Sequence, residues 1–137
     1  MAEDKKRFVV SGKRKTAIAK ASITAGEGKI RINKKDYKNL HLFDYLKIEE
    51  PLRIADEILG KRDFDVSIKV SGGGEKGQID AARVALAKAI VKFKKDASLA
   101  QAFLKYDRNL LVSDVRRKEM YKPGDSKARK KRQSSKR

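Results

Sequence analysis

The stretch that decides the fold is DFDVSIKVSGGGEKGQIDAARVALAKAI, residues 63–90. In its first part apolar and polar residues alternate, which is the period of a strand with one buried face. After the glycines the apolar positions recur at helical spacing over a helix predicted from Gln78 to Lys95. Its apolar stripe consists of Ile79, Ala82, Leu86, Ile90 and Phe93. The stretch therefore predicts a strand, a tight turn and a long amphipathic helix.

The glycines of the turn, Gly72, Gly74 and Gly77, fit the G-x-G-x-x-G pattern of dinucleotide sites. Such a site needs a second parallel strand after the helix, with an acid near its end. Asp96 has about the right spacing but lies between two predicted helices, and Gln78 replaces the lysine of a P-loop. We interpret the glycines as conformational, giving positive φ and close helix packing. Helix N-terminal amides that bind an RNA phosphate are the alternative.

The flanking sequence completes a small domain. Strands are predicted at residues 8–10, 16–25 and 29–33, with a loop at residues 11–15 and a hairpin joining the second and third strands. A helix is predicted at residues 40–59 with Gly60 as its C-cap, and the acids before Pro51 fit a helix start. A short helix follows at residues 98–107.

These elements predict an α+β fold of two layers, in which helices cover one face of a mixed four-stranded sheet. The other face carries Lys20, Arg31 and Lys69 and is expected to stay polar. Residues 1–115 form the predicted globular body, and residues 116–137 form an extended basic tail.

The composition favours a polyanionic partner. There are 36 Lys and Arg against 18 Asp and Glu, a formal net charge of +18. The absence of cysteine excludes disulfides and thiolate chemistry. His41 is the only histidine, and no set of residues has catalytic or metal-ligand spacing, so neither an active site nor a cofactor is predicted. With no apolar run of membrane-spanning length and no signal peptide, we expect a cytoplasmic protein without membrane contact.

Two segments concentrate the positive charge. Residues 12–15, GKRK, place three cations side by side, and residues 116–137 hold half of the net charge. The latter segment has too few apolar residues to fold alone, so we expect a polyanion to order it. Arginine and lysine there suit phosphate contact. A nonspecific arm on a histone-like DNA-binding protein is the alternative.

Five motifs in order carry a family resemblance: GKRKTAIAKA, GKIRIN, GGGEKGQIDAARVALAKAI, YDRNLLVSDVRRKE and the terminal KPG with ARKKRQSSKR. Over nearly its whole length the chain resembles the universal small-subunit ribosomal protein number nine family, number sixteen in eukaryotic naming, in an archaeal-type form. The resemblance implies a non-enzymatic rRNA-binding protein of the small-subunit head, cytoplasmic and on the ribosome. It also implies a body like the second domain of ribosomal protein five, with a left-handed crossover.

The resemblance further implies three kinds of partner: small-subunit rRNA, neighbouring head proteins and tRNA in the P site, with no homo-oligomer. The residues expected to contact rRNA are Lys13, Arg14, Lys15, Gly73, Gly74, Lys76, Gln78, Arg108, Arg116, Arg117, Lys118, Lys122, Lys127, Arg129, Lys130, Lys131 and Arg132. Those expected to contact tRNA are Ser135, Lys136 and Arg137.

Overall fold

The computed structural model describes residues 6–124 and 127–129. Its strands are β1 (Phe8–Arg14), β2 (Ala17–Ala25), β3 (Ile30–Ile32), β4 (Lys35–Asp36) and β5 (Phe64–Ser71). Its helices are α1 (Leu42–Leu59), α2 (Glu75–Lys94) and α3 (Ala97–Tyr106), with 3₁₀ turns at Tyr37–Asn39 and Arg108–Leu110. Five strands in one sheet and three helices confirm the predicted α+β class.

The sheet is mixed, as predicted, but it has five strands rather than four, in the order β1-β2-β5-β3-β4. β3 and β5 run parallel, and the other pairs are antiparallel. The predicted hairpin between the second and third strands is wrong, because β2 pairs with β1 and β5. The predicted loop at residues 11–15 is also wrong, since β1 continues to Arg14 and turns into β2 through Lys15 and Thr16.

The connection after β2 shows why the hairpin does not form. The Asp65 carboxylate, near the start of β5, accepts hydrogen bonds from the amides of Glu27, Gly28 and Lys29 at 3.0, 3.0 and 2.9 Å. These bonds hold the chain as it passes the start of β5 and enters β3 on the far side. They lower the pKa of Asp65, the Lys29 amide contributing most.

One face of the sheet, here called the covered face, lies under α2, which contacts β1, β2 and β5. A Cβ atom on Gly12 would lie 2.6 Å from the Ala81 carbonyl oxygen and the Ala85 amide nitrogen. Glycine and alanine on both sides thus let the helix backbone approach the strands directly. This close packing fixes the start of α2 beside the turn between β1 and β2.

Helix α1 ends at Gly60, which has φ 72° and donates its amide to the Asp56 carbonyl, so the predicted C-cap is confirmed. The predicted helix start at Pro51 is wrong, because α1 begins at Leu42 and Pro51 is buried inside it. Packing of the proline ring in the core overrides the local preference for the first helical turn. Of the two acids before Pro51, Glu49 accepts a hydrogen bond from the Tyr37 hydroxyl at 2.8 Å.

Helix α2 begins at Glu75, three residues before the predicted start at Gln78. Its predicted stripe is confirmed: four members are buried and Phe93 packs against them. Helix α3 is capped by Asp96, whose carboxylate accepts from the Ser98 amide at 2.9 Å. In residues 6–124 and 127–129, no helix has the length and apolar character needed to cross a bilayer.

Candidate nucleic-acid interface

The end of β1 distributes its cations between the two faces of the sheet, because successive strand side chains point to opposite sides. Lys13 is exposed on the face away from α2. Arg14 points to the covered side, and its side chain is 19% exposed. Lys15 lies in the turn with φ 56°. The predicted basic loop is therefore divided between two surfaces.

Arg14 contacts a distant basic segment, the strap, which comprises residues 114–118. Its Nη1 atom lies 2.9 Å from Asp114 Oδ2, and Arg116 Nη2 lies 2.8 Å from the same oxygen. Asp114 also accepts from the Arg116 amide at 3.0 Å. These groups hold the pKa of Asp114 far below its ordinary value, with the Arg116 side chain contributing most and the Arg14 charge adding to it. The ionised carboxylate thus joins β1 to the strap.

The strap and the β1–β2 turn border a groove of about 510 Å³, here called the basic groove. Its lining residues are Arg14, Lys15, Thr16, Arg116, Arg117 and Lys118. Arg117 Nη1 donates to the carbonyls of Asp114 and Arg116 at 3.2 and 3.1 Å. Lys118 Nζ lies 4.6 Å from the centre of the Tyr121 ring. A groove lined by five cations attracts and concentrates anions.

The glycine turn packs against the same β1–β2 turn. Gly72 and Gly73 have φ values of 74° and 62°. The predicted positive φ is wrong for Gly74, the N-cap of α2 with φ −93°, and for Gly77, which lies within α2. A Cβ atom on Gly72 would lie 2.8 Å from the Thr16 carbonyl oxygen, so the turn needs glycine for space as well as for conformation. Gln78 Nε2 donates to the Gly72 carbonyl at 3.1 Å. No strand follows α2 as far as residue 124, so the second strand of a dinucleotide site is missing there.

Other predicted contact residues have partners within the protein. Lys76 Nζ lies 2.9 Å from Oδ1 of Asp44, whose side chain is buried, and this hydrogen bond raises the pKa of Lys76. Arg129 Nε lies 2.8 Å from Glu119 Oε2. Both cations thus offset acids of the same chain.

The remaining predicted residues are not brought into the basic groove. Arg108 is exposed on its 3₁₀ turn, and Lys122 and Lys127 are exposed beyond the strap. Six predicted residues lie outside the described part of the chain: Lys130, Lys131, Arg132, Ser135, Lys136 and Arg137.

Sequence reasoning missed the acids that organise this region. The negative charge of Asp114 is unexpected beside a basic segment, but its carboxylate orients two guanidinium groups. Asp80 Oδ1 lies 3.1 Å from Lys47 Nζ, and Asp80 Oδ2 lies 3.9 Å from Arg14 Nε. An acid two residues before an arginine was the available signal for Asp114, but nothing in the sequence pointed to Arg14 as its second partner. Within residues 6–124 and 127–129, no cluster of His, Cys, Asp or Glu could hold a metal ion.

The family model described as "Ribosomal protein S9/S16" matches residues 12–137. The chain belongs to this family. Family membership makes it a structural component of the ribosome and not an enzyme, located on the cytoplasmic ribosome. The predicted family and its archaeal-type form are confirmed.

Proteins from three organisms are similar in sequence to this chain over most of its length. Small ribosomal subunit protein uS9 of Methanococcus vannielii is 53% identical over 116 residues, covering 84% of this chain and 85% of the relative. The protein of the same name from Methanothrix thermoacetophila is 48% identical over 126 residues, covering 91% and 94%. That of Halobacterium salinarum is 44% identical, covering 91% and 95%.

Proposed function

We propose that this protein is a structural constituent of the small ribosomal subunit that binds rRNA in the subunit head through the basic groove. The observation that carries the proposal is Asp114, which lies between Arg14 and Arg116 and joins two basic segments that are far apart in sequence. The relatives support the subunit, since each is named a small ribosomal subunit protein.

The chemistry of the groove suits phosphate. Guanidinium groups make paired hydrogen bonds to phosphate oxygens, and three arginines line the groove. No acid lines it among the described residues, since Asp114 lies outside the lining and already contacts two arginines. Contacts of this kind fix the position of a protein on RNA without reading its sequence. The groove is therefore proposed to hold the rRNA backbone.

We extend the proposal to the organisation of the chain. Residues 1–115 form the rRNA-binding body, and residues 116–137 form a tail that follows the RNA. The body is proposed to share the fold of the second domain of ribosomal protein five, with α1 forming a left-handed crossover between β3 and β5. Its partners are small-subunit rRNA and neighbouring head proteins, and it acts as a single copy.

The end of the tail is proposed to contact tRNA in the P site through Ser135, Lys136 and Arg137, as the resemblance implies. These residues lie outside the described part of the chain, so the support is their sequence. Residues 116–137 contain eleven Lys and Arg and two acids. A segment of that length can extend by up to about 70 Å, which is enough to leave its own domain.

The rRNA proposal is tested by D114N. A purely nonspecific cationic protein should bind RNA slightly more tightly when an acid is removed. If Asp114 organises the basic groove, D114N instead leaves the small subunit at a lower salt concentration than the wild type. Cosedimentation through sucrose gradients at increasing salt measures this.

The matched control is E119Q, because Glu119 lies just after the strap and pairs with Arg129 outside the groove. It removes the same charge and should leave retention unchanged or slightly stronger. Equal or tighter retention of D114N contradicts the role of the groove. Spreading of the wild type over all RNA-containing fractions, with equal binding to duplex DNA, favours the histone-like alternative.

The tRNA proposal is tested by deleting residues 136–137. We expect P-site tRNA to bind more weakly by about 1 to 3 kcal/mol, because two phosphate contacts are lost, while subunit assembly continues. Filter binding of tRNA to purified small subunits measures this. The double variant K122Q/K127Q removes the same charge from the start of the tail and serves as the control. Unchanged tRNA affinity after the deletion contradicts the proposal.

A further inference from the structure

The face of the sheet away from α2, here called the open face, carries a second set of cations. Lys20 of β2 lies directly opposite Lys69 of β5 in the strand register. Lys13 of β1 lies on the same face beside Ile18, and Arg31 of β3 lies beside Ser67. All four cations are exposed. Together they form a diagonal stripe across four strands, about 20 Å long at ordinary strand spacings.

Among the residues that the structure describes, these cations lack acidic partners. Lys13, Lys20, Arg31 and Lys69 make no ion pair with any residue that the structure describes. Like charges placed directly opposite each other, as Lys20 and Lys69 are, destabilise a sheet. The charge therefore opposes folding, and a bound anion would offset that cost.

The acids on this face are engaged elsewhere. Asp65 accepts hydrogen bonds from three backbone amides, as described above. Asp36, which lies opposite Arg31, accepts from the Lys38 amide at 3.1 Å. Both acids lie toward one end of the stripe, and the Lys20–Lys69 pair lies away from them.

The open face also has hydroxyl groups and a groove, but no strand in the described part of the chain presents an aromatic ring on it. The groove of about 460 Å³ is lined by Arg7, Ser22, Thr24, Lys29, Arg31, Asp65, Val66 and Ser67. Arg7 Nη2 donates to the Ser22 hydroxyl at 3.0 Å. The aromatic residues of the strands, Phe8 and Phe64, pack on the covered side. Proteins that read unpaired bases stack them on aromatic rings, so this face has no platform for base recognition.

We propose that the open face is a second RNA-binding surface, which takes the sugar-phosphate backbone of a double-stranded rRNA segment without reading its bases. This inference rests on the proposed function, because the polyanion it invokes is the rRNA of the small subunit. It adds a contact on the side of the sheet opposite to α2. The protein then lies between two RNA segments, with Lys13 on one side of β1 and Arg14 on the other.

The placement is tested by hydroxyl-radical cleavage from single cysteines. Because the natural chain has no cysteine, each introduced thiol is the only attachment point for an iron–EDTA probe. S67C places the probe on the open face, V115C places it on the strap, and Q101C on the exposed side of α3 is the reference. The labelled full-length proteins are assembled into small subunits, and rRNA cleavage is mapped by primer extension.

The proposal expects S67C to cleave a compact set of paired rRNA nucleotides different from those cleaved by V115C. If V115C cleaves rRNA and S67C does not, the open face is not an RNA surface and the proposed function stands. If neither position cleaves in assembled subunits, the proposed function fails as well. Cleavage from S67C that falls on unpaired nucleotides contradicts backbone recognition of a duplex.

The charge contribution is tested with K20Q/K69Q against K38Q/K105Q, which removes two exposed lysines that belong neither to the stripe nor to the lining of either groove. Affinity for a short mixed-sequence RNA duplex is measured over a range of salt concentrations. The slope of log Kd against log salt should fall in magnitude by about 1 to 2 for K20Q/K69Q. Melting at or above the wild-type temperature shows that this loss is not unfolding. Equal slopes for the two double variants overturn the proposal.

Discussion

Alternate residues of the same strands build the covered and the open face of the sheet, and the two faces meet different physical demands. On the covered face Gly12, Ala17, Ala19 and Ala21 are small, so α2 rests directly on the strands. On the open face the neighbouring positions are Ser11, Ile18, Lys20 and Ser22. The covered face is therefore specified by shape and the open face by charge.

The cations that contact the helices also differ from those of the open face, because they have acidic partners. In α2, Arg83 Nη2 lies 2.6 Å from Oε2 of Glu50 in α1, and Arg83 Nη1 lies 3.2 Å from Oδ2 of Asp107, the residue after α3. Arg62 Nη2 lies 3.2 Å from Glu49 Oε1 and 2.7 Å from Asp56 Oδ2. Arginines of α2 and of the α1–β5 connection thus hold elements together, whereas the cations of the stripe on the open face make no ion pair with any described residue. The comparison yields four predictions on stability.

The largest effect is expected for G12V. Its new side chain would meet backbone atoms of α2 that cannot move without displacing the helix. We expect the free energy of unfolding to fall by about 3 kcal/mol, as measured by urea denaturation. S11V places the same side chain on the open face one residue away and should change stability by no more than about 0.5 kcal/mol. Similar losses for both variants would contradict the distinction between the faces.

A smaller effect is expected for R62M. The substitution removes the guanidinium from Glu49 and Asp56 and from the Tyr37 hydroxyl, 3.3 Å away. The buried Glu49 carboxylate then keeps only the weaker ion pair with Arg53, whose Nε atom lies 3.9 Å from Glu49 Oε1. The expected loss is about 2 kcal/mol, because the site is only partly buried. The matched control is K61M, since Lys61 is exposed. Unchanged urea denaturation of R62M would mean that the network contributes little to stability.

Individual strands, helices and caps could be predicted from the sequence better than the pairing of the strands. Period and caps depend on nearby residues, so the strand at residues 63–71, the α2 stripe and the Gly60 cap could all be predicted. The order of the strands in the sheet depends on long-range contacts, above all on the hydrogen bonds that Asp65 accepts from three backbone amides. A β2–β3 hairpin and the observed crossing have the same local pattern, and only the tertiary bonds distinguish them.

The candidate site could be predicted only in part, for a similar reason. The charges of residues 12–15 and 116–118 are visible in the sequence, but their approach depends on Asp114, an acid that by charge alone would not be expected in a phosphate-binding segment. The division of Lys13 and Arg14 between two faces required β1 to extend to Arg14. A segment predicted as a loop gives no alternation of sides.

The third prediction concerns Asp65, the acid of the open face that supports the fold rather than balancing its cations. D65N keeps an acceptor but loses the charge that three amides stabilise. We expect a loss of about 1 to 2 kcal/mol at neutral pH, with E57Q as the exposed control.

The pH dependence of this loss follows from the lowered pKa of Asp65 in the folded protein. The stability that the carboxylate adds is fully present above its unfolded pKa, near 4, and is lost as pH falls through the folded value. Urea denaturation at a series of pH values should therefore show the difference between D65N and the wild type shrinking below about pH 4. A difference that stays constant to low pH would assign the effect to packing.

The smallest effect, and the one of opposite sign, is expected for K20Q/K69Q. Removing a directly opposed like-charge pair should raise the free energy of unfolding by about 0.2 to 1 kcal/mol at low salt. Because the lysines are exposed, salt screens their repulsion, and the gain should vanish near 1 M, where the Debye length is about 3 Å. The control K38Q/K105Q removes the same net charge without an opposed pair and should gain less. If the double variant is less stable than the wild type at every salt concentration, these lysines support the folded sheet. Their presence on the open face would then be explained by stability and would no longer indicate a binding surface.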